Sequence, residues 1–119
     1  MSRIIAIGDI YLFYNTFQKL VIDEIRIRKS DTIYCIGDYI DRGPDSKGVI
    51  DFILDLRKKG YAIRTLRGNH EELMMESIKG KHAFGDWFRN GGDATLRSFG
   101  VSSYADFRPE YKKFFSHTR

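Results

Sequence analysis

Cysteine is almost missing from this sequence, since Cys35 is the single one among 119 residues. One cysteine cannot form an intramolecular disulfide, and a zinc site built from several cysteines is excluded. Because Cys35 lies within an apolar run, we predict that it is buried as a small hydrophobic residue.

Long hydrophobic runs and blocks of one charge are also missing. Residues 4–7 form an apolar run with the length of a strand, and no apolar run in the sequence approaches the ~18 residues of a membrane-spanning helix. No apolar secretory segment follows Arg3, which predicts a cytoplasmic protein without an export signal or a membrane partner. The net charge is +4 and the basic residues are dispersed, which disfavours nucleic acid as the main partner.

The composition favours one folded domain over residues 1–119. Apolar residues make up 42% and aromatic residues 14% of the chain, too many for a disordered segment with so small a net charge. A chain of this length can bury one hydrophobic core but not two.

Three short segments rich in β-branched residues alternate with helical patterns. They cover residues 3–8, 32–37 and 61–68, and the first two are almost wholly apolar. Strands that alternate with helices through short links predict an α/β fold with a parallel βαβαβ unit, followed here by further helices. The apolar character of the first two strands predicts that both of their faces are buried.

Each predicted strand ends in glycine followed by a residue with a side-chain oxygen. These pairs are Gly8-Asp9, Gly37-Asp38 and Gly68-Asn69. Because the carboxyl ends of parallel strands meet at one edge of a sheet, we expect the three oxygen-bearing side chains to converge there. Two carboxylates and a carboxamide placed together favour a divalent cation between them.

Two longer motifs surround these residues. Residues 37–44 read Gly-Asp-Tyr-Ile-Asp-Arg-Gly-Pro, and residues 68–71 read Gly-Asn-His-Glu. They resemble the GD-x-x-D-R-G and GNHE blocks of the metallophosphoesterase superfamily, and more narrowly those of its bacterial Ser/Thr phosphoprotein phosphatase branch. The resemblance implies the N-terminal half of a metallophosphoesterase-type sheet sandwich. It also implies hydrolysis of phosphomonoesters, on a phosphorylated protein or a small phosphoester, by a metal-activated water.

The same resemblance implies a set of metal ligands. It makes Asp9 a ligand of a first metal, Asp38 the ligand that bridges two metals, and Asn69 a ligand of the second. Two divalent ions are implied, with oxygen and nitrogen ligands that suit manganese, iron or zinc.

The resemblance also implies three catalytic or substrate-binding residues. His70 matches the residue that donates a proton to the leaving oxygen, and Asp41 matches its orienting partner. Arg42 matches a residue that grips phosphate, which agrees with the two parallel donors of a guanidinium.

The first motif block departs from the family pattern of GD-x-H-G. Tyr11 stands where the family has histidine, and Leu12 stands where it has glycine. A phenol is a poorer metal ligand than a neutral imidazole, so we expect a weakened first metal site, with one metal or weak binding. The family's later half, with two further histidine ligands, is expected to be missing from this chain.

A further stretch, residues 87–95, is similar to a W-x-x-N-G-G-x-x-T pattern of bacterial Ser/Thr phosphatases and diadenosine tetraphosphate hydrolases. It predicts a glycine turn between helices, with Asn90 or Arg89 near the substrate and Trp87 as a packing residue. Two alternatives to a phosphatase stay open. One is a diadenosine polyphosphate hydrolase; the other is a catalytically impaired binding protein, whose uncovered sheet edge would favour a homodimer or completion by another chain.

Overall fold

A computed structural model describes residues 2–8, 14–41 and 45–118, with residue 14 described for its backbone alone. The strands are β1 (Ile4–Ile7), β2 (Thr32–Cys35) and β3 (Ala62–Thr65). The α-helices are α1 (Tyr14–Lys19), α2 (Ser46–Lys58), α3 (Asn69–Glu76), α4 (Lys81–Trp87), α5 (Asp93–Phe99) and α6 (Pro109–Ser116). Short π-helical segments follow α1 and α4, at Leu20–Ile25 and Phe88–Gly92, and 3-10 turns lie at Ser77–Lys79 and Tyr104–Asp106. Within the described ranges, no helix has both the length and the apolar character to cross a membrane.

The three strands form one parallel sheet in the order β1-β2-β3. Ile5 lies opposite Ile33, and Ile33 lies opposite Ile63, so the strands are in register along their whole length. The chain returns to the start of the sheet through α1 and then through α2, and this arrangement confirms the predicted α/β fold with a parallel βαβαβ unit. All three carboxyl ends therefore lie at the same edge.

The sheet is covered on one face within the described part of the chain. Ile7, Ile33 and Ile63 are buried on that face, whereas Ile4 on the other face is 82% exposed. Ile36, just past β2, is 52% exposed. The prediction that both faces of the first two strands are buried is therefore wrong. A run of apolar residues favours a strand but does not reveal whether a second layer packs on it.

Aromatic side chains join helices to each other and to the loop after β2. Phe17 of α1 meets Phe52 of α2 edge to face, with ring centroids 5.5 Å apart. Phe114 of α6 meets Tyr39, in the loop after β2, with centroids 5.7 Å apart. Cys35 is fully buried, as predicted, and burial raises the pKa of its thiol to about 12. The aromatic residues of α6 thus pack against the loop that carries the candidate site.

The start of β2 is fixed by a buried carboxylate. Asp31 accepts hydrogen bonds from Arg3 Nε and Nη2, at 3.1 and 2.7 Å, and from the backbone N–H of Arg28 at 2.8 Å. The guanidinium of Arg3 and the Arg28 N–H lower the pKa of Asp31 to about 2. The pair therefore ties the residue before β1 to the residue before β2.

We expect the stability contributed by Asp31 to be lost in acid. Because the folded-state pKa lies below the unfolded value of ~3.9, the contribution is complete above that value and disappears as the pH falls towards about 2. Urea unfolding of the wild type and of Asp31→Asn should differ most near pH 7 and converge near pH 2. A matched variant, Asp55→Asn, removes an exposed ion pair with Lys59 and should show little difference at any pH. A gap between wild type and Asp31→Asn that does not change with pH would contradict this account.

Candidate metal and active site

Asp38 and the first turn of α3 lie side by side at the carboxyl edge of the sheet. Asp38 lies in the loop after β2, and Asn69 and His70 begin α3 after the short loop that follows β3. The side chain of Asp38 accepts a hydrogen bond from the backbone N–H of His70, with Oδ1 3.0 Å from the nitrogen. A carboxylate at the N-terminus of a helix is stabilised by the unpaired N–H groups there. The parallel sheet thus brings the residues after two strands into contact.

The contact between Asp38 and the start of α3 requires that Gly68 has no side chain. Its backbone is extended, with φ −92°, so it does not occupy a left-handed conformation. A Cβ on Gly68 would lie 2.3 Å from Asp38 Oδ1 and 2.5 Å from the Asp38 backbone nitrogen. Asp38 itself has a positive φ of 58°, a conformation that non-glycine residues seldom adopt and that often accompanies functional sites.

Asp41 and His70 form a pair at the same edge. His70 Nδ1 lies 2.9 Å from Asp41 Oδ2. Because an ionised carboxylate can only accept, the shared proton belongs to Nδ1, which leaves Nε2 as the ring atom turned away from Asp41. Asp41 is 5% exposed. Burial raises the pKa of its carboxyl group, and the hydrogen bonds that it receives offset part of this rise.

Two buried side chains from the later helices complete the surroundings of Asp41. Trp87 Nε1 donates to Asp41 Oδ2 at 2.8 Å. Thr95 Oγ1 donates to Asp41 Oδ1 and accepts from the Asp41 backbone N–H at 2.8 Å. The sequence interpretation of Trp87 as a packing residue is incomplete, because the ring is buried but its N–H also binds a carboxylate. The signal available in the sequence was the fixed spacing of a tryptophan and a threonine around Gly-Gly.

Glu71 is a further residue whose position the sequence analysis did not predict. It is fully buried, and its carboxylate accepts the backbone N–H groups of Asp38, Tyr39 and Gly68 at 2.6, 2.9 and 2.9 Å. Burial raises the pKa of Glu71, and these hydrogen bonds offset part of this rise. The side chain therefore joins the loop after β2 to the start of α3. Its place as the last residue of the GNHE block was the available signal.

Two of the predicted metal ligands, Asp38 and Asn69, lie among the described residues. Asp38 accepts the His70 N–H through Oδ1, and Asn69 is exposed at the first position of α3. Carboxylate and carboxamide oxygens at adjacent strand ends fit a divalent cation. No group of three or more His, Cys, Asp and Glu side chains that could hold a metal occurs among these residues. Asp9, Tyr11 and Arg42, predicted as a ligand, a ligand substitute and a phosphate clamp, lie outside the described residues.

Asn90 lies at a break between helices, as the glycine pattern predicts. Asn90 and Gly91 leave helical geometry, and the Asn90 side chain donates to the backbone oxygen of Asp86 at 2.6 Å. Contact of Asn90 with substrate stays a prediction. The two remaining histidines are exposed: His82 at 93%, and His117, whose Nδ1 lies 2.7 Å from the Lys113 carbonyl oxygen.

Comparison with known proteins adds a family match over nearly the whole chain. The sequence model of the calcineurin-like phosphoesterase family matches residues 2–118. The zinc-dependent endopolyphosphatase of Saccharomyces cerevisiae is 30% identical over 107 residues, which are 89% of this chain and 31% of that protein. Serine/threonine-protein phosphatase 1 of Salmonella typhimurium is 31% identical over 88 residues, 74% of this chain and 38% of that protein.

A third kind of relative is named for a different activity. The symmetrical bis(5'-nucleosyl)-tetraphosphatase of Dechloromonas aromatica is 35% identical over 92 residues, which are 77% of this chain and 30% of that protein. The chain therefore matches between 30% and 38% of the length of these three relatives.

Proposed function

The chain belongs to the calcineurin-like phosphoesterase family, and from this we propose that it is a metal-dependent phosphatase that hydrolyses phosphomonoesters. We assign it to the Ser/Thr protein phosphatase lineage, with a phosphorylated protein or a small phosphoester as substrate. The similarity to the Salmonella phosphatase supports this lineage. We propose manganese, iron or zinc as the metal and the cytoplasm as the location.

The observation that carries the proposal is the His70 and Asp41 pair beside Asp38. His70 Nδ1 is 2.9 Å from Asp41 Oδ2, and the His70 backbone N–H is bound to Asp38 Oδ1 at 3.0 Å. An imidazole held at Nδ1 by a carboxylate presents Nε2 for proton transfer. Protonated on both ring nitrogens, His70 would donate its Nε2 proton to the leaving oxygen of a phosphoester bound next to Asp38, and the neutral ring would keep its proton on Nδ1.

The other roles follow from the residue types. Asp38 and Asn69, together with Asp9, would hold two divalent ions, or one if the Tyr11 substitution removes a ligand. Such ions, when bound, activate a water and offset the charge of the phosphoryl group. Arg42 would hold two phosphate oxygens through its guanidinium.

Two other functions have specific support. Relatives that are symmetrical bis(5'-nucleosyl)-tetraphosphatases support cleavage of a diadenosine polyphosphate by the same residues. Tyr11 and Leu12, in place of the family's histidine and glycine, support a catalytically impaired protein that binds a ligand or another chain.

A phosphate-release assay separates these functions. We expect the purified chain to hydrolyse p-nitrophenyl phosphate when manganese is added, and His70→Gln to lower kcat by about a hundredfold or more. His82→Gln is the matched control, because His82 is 93% exposed and lies outside the site. Equal rates for wild type and His70→Gln would refute the role of His70.

The Tyr11→His, Leu12→Gly double variant tests the weakened first block. If the double variant gains manganese-dependent activity over an inactive wild type, the remaining residues are competent and the first block is the defect. If both are inactive, the impaired-binder alternative replaces the phosphatase proposal. For an active form, kcat/KM on a phosphoserine peptide compared with diadenosine tetraphosphate identifies the substrate class.

A further inference from the structure

Trp87 and Thr95 bind the Asp41 carboxylate from either side of the break between α4 and α5. Trp87 is the last residue of α4, and Thr95 lies in the first turn of α5. The break at Asn90 and Gly91 turns the chain between them. Both side chains are fully buried, although each carries a polar group. Their polar atoms all go to Asp41, which is 46 and 54 residues away along the sequence.

The two carboxylate oxygens of Asp41 form hydrogen bonds with different neighbours. Thr95 Oγ1 donates to Asp41 Oδ1 and also accepts the backbone N–H of Asp41. One hydroxyl therefore ties the side chain of Asp41 to its own backbone. Trp87 Nε1 binds Oδ2 at 2.8 Å, and this is the oxygen that faces His70 Nδ1 at 2.9 Å. A rotation of the carboxylate would break its hydrogen bonds to Thr95, Trp87 and His70 together.

We propose that Trp87 and Thr95 are positioning residues that fix the Asp41 carboxylate and, through it, the orientation and tautomer of His70. The inference rests on the proposed function, since it gives His70 the proton-donating role. It assigns the conspicuous W-x-x-N-G-G-x-x-T stretch to the support of a catalytic pair. The competing explanation is that both residues are core side chains whose polar atoms find the nearest acceptor.

Kinetics distinguish a positioning role from a structural one. We expect Trp87→Phe and Thr95→Val each to lower kcat for p-nitrophenyl phosphate by about tenfold, with KM changed by less than about twofold. Thr95→Ser, which keeps the hydroxyl, should recover most of the loss of Thr95→Val. Tyr111→Phe is the matched control, because Tyr111 is buried and its hydroxyl donates to the Asp51 carboxylate at 2.6 Å, outside the site. It should leave kcat unchanged.

The tautomer of His70 gives a readout that does not require activity. In the metal-free chain at a pH where the ring is neutral, ¹⁵N spectra of the imidazole should show the Nδ1–H tautomer in wild type and in Tyr111→Phe. Trp87→Phe and Thr95→Val should show a mixture with the Nε2–H form. If Trp87→Phe fails to fold, Thr95→Val compared with Thr95→Ser provides the same test.

The outcomes distinguish failure of the positioning role from failure of the proposed phosphatase function. An unchanged His70 tautomer in the folded Trp87→Phe or Thr95→Val variant overturns the positioning role, whatever the activity of the wild type. A tautomer shift in an inactive wild-type background supports the positioning role and refutes the phosphatase function alone. If Tyr111→Phe lost as much kcat as Trp87→Phe and Thr95→Val, the loss would be explained by general destabilisation, and the inference would be overturned.

Discussion

Replacing Glu71 with glutamine is expected to lower the free energy of unfolding by about 3 kcal/mol. The Glu71 carboxylate accepts three backbone N–H groups, from Asp38, Tyr39 and Gly68. A glutamine side chain has one oxygen, and its amide NH₂ would face a backbone donor in place of an acceptor. Because Glu71 is fully buried, water cannot satisfy the N–H that loses its partner.

Urea unfolding at neutral pH, followed by circular dichroism and by the emission of the single tryptophan, measures this loss. Glu72→Gln is the matched control on the next residue. Its carboxylate is 56% exposed and 3.4 Å from Arg67 Nη1, so its removal should change stability by less than about 0.5 kcal/mol. A loss in Glu71→Gln no larger than that in Glu72→Gln would show that these backbone contacts do not hold the loop in place.

Gly91→Ala should be destabilising by about 3–5 kcal/mol, for two separate reasons. Gly91 has φ +112°, a conformation that strains any residue with a Cβ. A Cβ there would also lie 2.2 Å from the backbone oxygen of Asp41 and 2.9 Å from its Cβ, so Asp41 itself would have to move. We therefore expect the variant to lose both stability and the fixed geometry around Asp41.

Gly60→Ala separates the two contributions. Gly60 has a similar φ of +99°, but its nearest heavy atom to an added Cβ is Lys29 Cε at 3.7 Å. This variant carries the backbone strain without the overlap, so its loss should be about 1–2 kcal/mol. Equal losses of unfolding free energy in Gly91→Ala and Gly60→Ala would contradict the close approach of Gly91 to Asp41.

Together these variants test three structural supports of the candidate site. Glu71 holds the loop backbone that carries Asp38, and Gly91 permits the approach of the later helices to Asp41. Trp87 and Thr95 then fix the carboxylate that faces His70. Unfolding of the chain and the tautomer of His70 are measured independently, so loss of fold and loss of geometry can be told apart.

The sequence by itself determined the fold class and the identity of the candidate residues. Alternation of apolar strands with helical periodicity is a local property, so it predicted the parallel βαβαβ unit that the structure has. The buried Cys35 followed from its apolar neighbours for the same reason. The Gly-Asp and Gly-Asn strand ends predicted the places of Asp38 and Asn69 at the carboxyl edge, because parallel strands place their ends together, whereas Asp9 lies outside the described residues.

Only the tertiary structure decided which residues support that edge. The hydrogen bonds of Asp41 to Trp87 and Thr95 join positions 46 and 54 residues apart, and no local pattern encodes such a distance. The same holds for Glu71, whose three backbone partners belong to two loops. Exposure of Ile4 on the second face of the sheet also needed the fold, since residue type reports hydrophobicity but packing alone decides what covers it.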